Sequence, residues 1–226
     1  MLLTVKNAIP KKTAFPIFSS ALAVAAFVVL VLVLFLVLLA PANLFAKSAF
    51  FTNPEKLELL SVAREAMTAS FEGRTPRPAP ANPKYSISRP VAVSIFLDGK
   101  LVARTWEIER PGPLATEIPA LVSRALSDPK QGRPVTDEEI ARAKLGVGVF
   151  GRFEQIENEK AVKEGDGVAV LVGFKEGVAL PGDLPAGSKA FDLLSLAAVA
   201  GGMREGGWLL PDASLFRAEA DEAREK

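Results

Sequence analysis

The sequence predicts an α+β fold: a mixed, mainly antiparallel sheet with packed helices, preceded by one transmembrane helix. Three observations predict it. "ALAVAAFVVLVLVLFLVLLA", Ala21 to Ala40, contains only Ala, Val, Leu and Phe. Further on, β-rich runs are joined by tight turns, most clearly at Asp98-Gly99 in "VAVSIFLDGKLVARTWEI", a pair favoured in type I′ hairpins. Segments of helical period interrupt these runs irregularly, unlike the regular alternation that builds a parallel doubly wound sheet.

The apolar run divides the chain. Residues 1–15 form a short basic tail, 16–41 a transmembrane helix or signal anchor, 42–52 a juxtamembrane linker and 53–226 the folded domain. At about 1.5 Å per residue, twenty helical residues span about 30 Å, the hydrocarbon thickness of a bilayer. No charge occurs between Lys12 and Lys47. Lys6, Lys11 and Lys12 precede the run, so the positive-inside rule places the N-terminus in the cytoplasm and the domain outside it. The alternative is a cleaved signal peptide and a secreted domain. "APA" at 40 to 42 has the form of a cleavage site, although signal cores run only about 7–15 residues.

The remaining elements follow in order. Asn53 reads as an N-cap with Pro54 in the first turn, and Leu57, Leu60, Met67 and Phe71 lie near one helical face up to Gly73. Prolines at 76, 78, 80 and 83 make the next segment an extended surface loop. "PLATEIPALVSRALSDP" has helical spacing, with Pro119 kinking its start or marking its first turn. Thr136 and Glu139 suit a capping box. "LGVGVFG" reads as a strand with one side nearly bare, where something packs close. "GVAVLVGFKEGVALP" reads as a hairpin turning at Lys175-Glu176-Gly177, and "SKAFDLLSLAAVAGG" as a helix stopped by glycines. "ASLFRAEAD" is a last strand before a solvated tail, "DEAREK".

Composition excludes several chemistries. The chain has no histidine and no cysteine. Zinc-type metal sites and Ser-His or Cys-His catalysis therefore have no residues to use, and no cofactor is implied. An enzyme here would depend on carboxylates or on a Ser/Lys pair. Charge excludes more. There are 27 Lys and Arg against 26 Asp and Glu; three lysines precede the apolar run and every acid follows it, so the remainder carries −2. Nucleic-acid binding wants a basic face, and no Lys/Arg cluster provides one.

"DGKLVARTWEIER", residues 98–110, holds the candidate ligand-binding residues Arg104, Trp106 and Glu107. Alternation puts Val102, Arg104, Trp106 and Ile108 on one strand face. Arginine offers a planar fork of donors and tryptophan a flat apolar face, a pairing favoured at interfaces and suited to acidic ligands. The plainer reading is a buried ion pair, with Glu65, Asp137, Glu138 or Glu139 as partner. Glu107 and Glu109 share the opposite face, which is either solvated or a carboxylate pair able to divide acid and base roles.

Taken together, "LLSVAREAMTASFEG", "PVAVSIFLDGKL", "PLATEIPALVSRALSDP" with "RPVTDEEIARAKLGVGVF", "GDGVAVLVGFKEGVALP", "AFDLLSLAAVAGG" and "SLFRAEA" resemble, in order and phrasing, the AMMECR-like domain family. The resemblance implies an α+β domain of two lobes around a mixed sheet, and a partner in a Memo-like or radical-SAM pathway. The family's signature, L-R-G-C-I-G, is replaced here by "LVARTW". Only Leu101 matches, Arg104 stands at the cysteine position, and Ala103 and Trp106 replace the glycines. No functional residue carries over. The sequence thus points to a membrane-anchored, non-catalytic AMMECR-like domain that binds a partner protein or small acidic ligand outside the cytoplasm. The alternative is a divergent enzyme using carboxylates or Ser/Lys without a transition metal.

Overall fold

The computed structural model describes residues 50–185 and 187–226. Helix α1 spans Asn53–Phe71. Its cap is Thr52, one residue earlier than the sequence suggests. The Thr52 hydroxyl accepts from the Glu55 N–H, and the Glu55 carboxylate accepts from the Thr52 N–H at 2.7 Å. This reciprocal capping box satisfies two orphan donors, which Asn53 at the first helical position does not do. Leu60 and Met67 are buried as expected, but Leu57 and Phe71 are exposed, because the buried stripe runs instead through Leu59, Val62, Ala63 and Ala66.

Strands β1 (Val91–Leu97) and β2 (Lys100–Glu107) form the first hairpin. Asp98 and Gly99 both have positive φ, 50° and 77°, as a type I′ turn requires. Helix α2 (Leu114–Ser127) carries Pro119 in its interior, past the first turn where the sequence places it. The short strand β3 (Gln131–Gly132), the one-turn helix α3 (Asp137–Ile140) and strand β4 (Lys144–Phe150) follow. Next come β5 (Glu154–Ile156), β6 (Asp166–Val172), β7 (Lys175–Ala179), helix α4 (Ala190–Ala200) and β8 (Ser214–Arg224).

The second hairpin turns at Gly173-Phe174, not at Lys175-Glu176-Gly177. Gly173 takes φ 59° and Phe174 does not take a positive φ, the pattern of a II′ turn with glycine first. Gly177 is instead mid-strand. A Cβ there would stand 1.9 Å from the Ala197 carbonyl oxygen, so α4 lies directly on β7 at this glycine.

All eight strands join one sheet in the order β3-β2-β1-β4-β8-β6-β7, with β5 also on β8. Every pairing is antiparallel. The expected fold class is corrected here in two respects. The sheet is not mixed and does not separate two lobes; it is a single antiparallel sheet curled into a half-barrel. The physical reason is β8. It runs eleven residues, pairs with β4 through Ala220–Arg224 and with β6 through Ser214–Glu219, and so welds both halves. Much of the tail expected to be solvated is therefore sheet. Nor does a transmembrane helix stand in the described structure. Residues 16–41 lie outside the described residues, and among those described no helix is long and apolar enough to cross a membrane.

Three cores result. Helices α1 and α2 cover the outer face of β1, β2 and β4, burying Met67, Ile95, Leu121 and Leu145. Helix α4 covers the outer face of β6 and β7, and Leu215 of β8 joins the same core. The inside of the curl holds Ala92, Trp106, Phe150, Ala169, Val178, Leu180 and Ala218. Gly146 and Gly148 face this interior: a Cβ on Gly148 would meet Leu180 at 2.4 Å. The bare side of "LGVGVFG" is where the far edge of the curl packs.

Half-buried carboxylates tie down loops and helix starts. Glu55, Glu65 and Glu139 each have a pKa lowered to about 2, first by the hydrogen bonds from Lys84, Arg74 and Arg133 respectively. A folded pKa below the ordinary 4.5 contributes stability that is complete above that value and is lost as pH falls toward 2. No histidine titrates near neutrality. The melting temperature is therefore expected to stay level between about pH 7.5 and 5.5 and to fall below about 4.5. Circular-dichroism melts of the wild type and of the Glu55→Gln, Glu65→Gln, Glu139→Gln triple variant test this. The variant should lose part of the acid limb; an unchanged limb contradicts the assignment.

Candidate functional site

Strand β2 divides its residues between two faces. Ala103 packs toward α1 and α2, whereas Arg104 and Trp106 enter the curl. Arg104 lies opposite Ser94 on β1, and its Nε donates to the Ser94 hydroxyl at 2.7 Å. Its two terminal nitrogens each donate, at 2.5 Å, to one oxygen of Asp183, which sits in the turn just after β7. Both side chains are sealed, Arg104 at 1% exposure and Asp183 at 6%. The planar fork of an arginine matches a carboxylate in this two-bond arrangement. None of Glu65, Asp137, Glu138 or Glu139 is the partner; Asp183 is, 79 residues away in sequence.

Asp183 also accepts from the Leu180 backbone N–H at 2.7 Å and from Arg224 at 2.9 Å. Arg224 in turn bonds Glu222 and lies 4.4 Å over the Phe96 ring, while Glu222 accepts from the Gly182 N–H. Two arginines and two carboxylates thus form a chain running from the closed interior to the surface.

Trp106 is fully buried and donates its indole N–H to Glu176 on β7. Lys130 pairs with the same carboxylate at 3.1 Å and stands 5.1 Å from the Trp106 ring centroid. Arg104–Asp183 and Trp106–Glu176–Lys130 are thus successive links across the gap between β2 and β7, which share no backbone ladder. Side chains, not amide hydrogen bonds, close the curl.

Glu107, the third candidate, is the one that reaches open space. It lines a cleft of about 560 Å³ with Glu109, Lys130, Phe174, Lys175 and Glu176. Its carboxylate accepts from the Arg110 N–H at 3.1 Å, and neither Glu107 nor Glu109 has a cation within 4.0 Å among the described residues. Lys130 is committed to Glu176, and Lys175 donates to the Gly202 carbonyl. Phe174, at the hairpin tip, is completely exposed. The structure therefore separates the three predicted residues: Arg104 and Trp106 belong to the closure, Glu107 to the cleft beside it. Asp183, Glu176, Lys130 and Phe174 are missing from the sequence reading. The one signal for Phe174 is an aromatic residue following Gly173 between β-rich runs. No local pattern marks Asp183.

Among the described residues no group of His, Cys, Asp or Glu is placed to hold a metal ion. The Ser94 hydroxyl is buried and already accepts from Arg104.

Replacing Arg104 with Met leaves Asp183 buried without its main partner. The expected cost is about 3–5 kcal/mol. The Arg104→Met, Asp183→Leu double variant should recover most of that loss, since apolar pairs commonly replace buried ion pairs at little cost. Urea denaturation of the four proteins in this cycle decides; a single variant that loses less than about 1 kcal/mol is inconsistent with a sealed pair.

No family model and no curated protein matches the chain. Among solved structures, it is similar to the crystal structure of the uncharacterized protein PH0010 from Pyrococcus horikoshii, with a TM-score of 0.64 and 22% identity, covering 76% of this chain and 92% of that one. At that identity the likeness is one of fold.

Proposed function

We propose that this chain is a non-catalytic binding domain that takes a protein partner at the cleft between β2 and the β6–β7 hairpin. The observation that carries this reading is Phe174: a large aromatic held wholly in solvent at a tight two-residue turn, beside two carboxylates, Glu107 and Glu109, that pair with no cation among the described residues. Rigid exposed aromatics are the usual anchors of protein interfaces. The short turn fixes its backbone position, so little loop entropy remains to be lost on binding. Glu107 and Glu109 suit a basic partner segment, so the partner chemistry is apolar-plus-cationic and not the acidic ligand that Arg104 suggests in sequence; both terminal nitrogens of Arg104 are taken by Asp183. The AMMECR-like order of segments supports the same class of reading, with a Memo-like or radical-SAM pathway protein as the partner.

A carboxylate-based enzyme is the second reading. It is favoured only by Glu107 and Glu109 lining one cleft, half-buried and exposed respectively. That asymmetry is the kind that splits two carboxyls into acid and base.

A photo-crosslinking phenylalanine analogue at position 174 is expected to give a discrete adduct in the native host. The adduct should disappear on Glu107→Lys with Glu109→Lys, and the same probe at exposed Leu57 should give none. An adduct insensitive to the charge reversal, or none at 174, overturns the reading. Phe174→Ala should change folding stability by less than about 0.5 kcal/mol, as for exposed positions generally.

A further inference from the structure

At the mouth of the half-barrel, where β1 begins and β2 and β4 end, lies a second cleft of about 460 Å³. Its polar lining is Ser88, Arg89 and Arg152, and its apolar lining includes Ile87, Ile108 and Phe153. The walls are fixed by backbone bonds. The Ile87 carbonyl accepts from the Leu114 N–H, the Pro90 carbonyl accepts from Phe150, and Gly151 donates to Glu219. Phe153 packs against Phe150 of the inner core, with ring centroids 5.2 Å apart and planes tilted by 38°.

The two arginines stand apart from most others in this protein. Nine arginines reach a carboxylate within 4.0 Å. Arg89 and Arg152 reach none among the described residues, and both line the same cleft. Residues 1–49 contain no Asp or Glu that would serve them. Arg89 is half-buried and held with its guanidinium 4.5 Å from the Phe50 ring centroid. Stacking on that ring orients the fork while leaving its edge N–H groups available.

We infer that this cleft binds a small organic carboxylate with an aromatic or branched apolar body. The reasons are chemical. Two guanidinium groups without carboxylates supply the positive field and the paired donors that a carboxylate accepts. Ile87, Ile108 and Phe153 supply the apolar wall, and the volume falls within the range of ordinary small-ligand sites. One fork takes both oxygens of a carboxylate and the second guanidinium adds donors beside it, so a singly charged head group is satisfied by the two arginines alone. The inference does not depend on the partner reading: the Phe174 cleft has a different lining.

The test uses the full chain and isothermal titration with 3-phenylpropionate, 3-phenylpropanol and phenyl phosphate as probes. The carboxylate is expected to saturate in the sub-millimolar range, roughly −4 to −6 kcal/mol, with affinity falling as salt is added. Arg152→Gln alters an exposed side chain and should fold as wild type, yet weaken the carboxylate about tenfold or more, and Arg89→Gln should do likewise. The alcohol should bind at least about tenfold more weakly than the acid. Equal binding of acid and alcohol, wild-type affinity in Arg152→Gln, or absence of saturable binding overturns the site. Tighter binding of phenyl phosphate overturns the carboxylate assignment.

Discussion

The structure depends on one buried ion pair, Arg104 with Asp183. A curled sheet of this kind has a closure problem: its two ends approach, yet β2 and β7 make no backbone ladder across the gap. Edges left open in a sheet invite pairing with another chain. Here the gap is spanned by side chains of fixed geometry. The arginine fork sets both distance and orientation, and Ser94 and the Leu180 N–H fix its two ends. Moving two charges out of water is costly, and such a pair is weak support for stability alone. What it specifies is register, since a one-residue slip of β2 would turn Arg104 outward and Ala103 inward.

The closure requires a narrow interior, and the composition of the inner face provides one. Ala92, Gly146, Gly148, Ala169 and Ala218 present almost no side-chain volume where the strands crowd together. Leu180 then occupies the space over Gly148, carrying the chain from β7 directly to Asp183. The same economy recurs outside: Gly177 lets the backbone of α4 touch β7, so the helix seats directly on the closing edge. Small residues, more than large ones, decide how tightly the sheet curls.

This explains which features were legible in sequence. The Asp98-Gly99 hairpin, the buried Leu60 and Met67 of α1, the capped turn at Thr136 and the bare side of "LGVGVFG" are local, and local spacing states them. The oddity of Arg104 in an apolar strand face was legible too. Its partner was not, because Asp183 is brought near by the curl and not by any periodicity. That the sheet is wholly, and not only mainly, antiparallel is hidden for the same reason. It follows from β8 pairing on both sides, and "DEAREK" is too charged to read as strand until Glu222, Arg224 and Glu225 are seen to bond Gly182, Asp183 and Arg64. In sequence, three consecutive polar or glycine residues, Lys175-Glu176-Gly177, outweigh Gly173-Phe174 as a turn signal, although only the latter matches a II′ turn.

Where charge is spent inside, recognition has to lie elsewhere. Arg104, Asp183, Glu176 and Lys130 satisfy one another, so the residues that make this sequence conspicuous have little left to offer a ligand. The groups with unspent capacity sit on the rim of the half-barrel: Phe174 with Glu107 and Glu109 on one side of the β2 terminus, Arg89 and Arg152 on the other. These two clefts have opposite charge and flank the same short segment, Glu107-Ile108-Glu109. Glu107 and Glu109 contribute to one and Ile108 to the other, as strand alternation dictates. The stretch 98–110 thus does three jobs in succession: a turn that starts the sheet, a pair that closes it, and an end that divides its open mouth into an acidic and a basic recess.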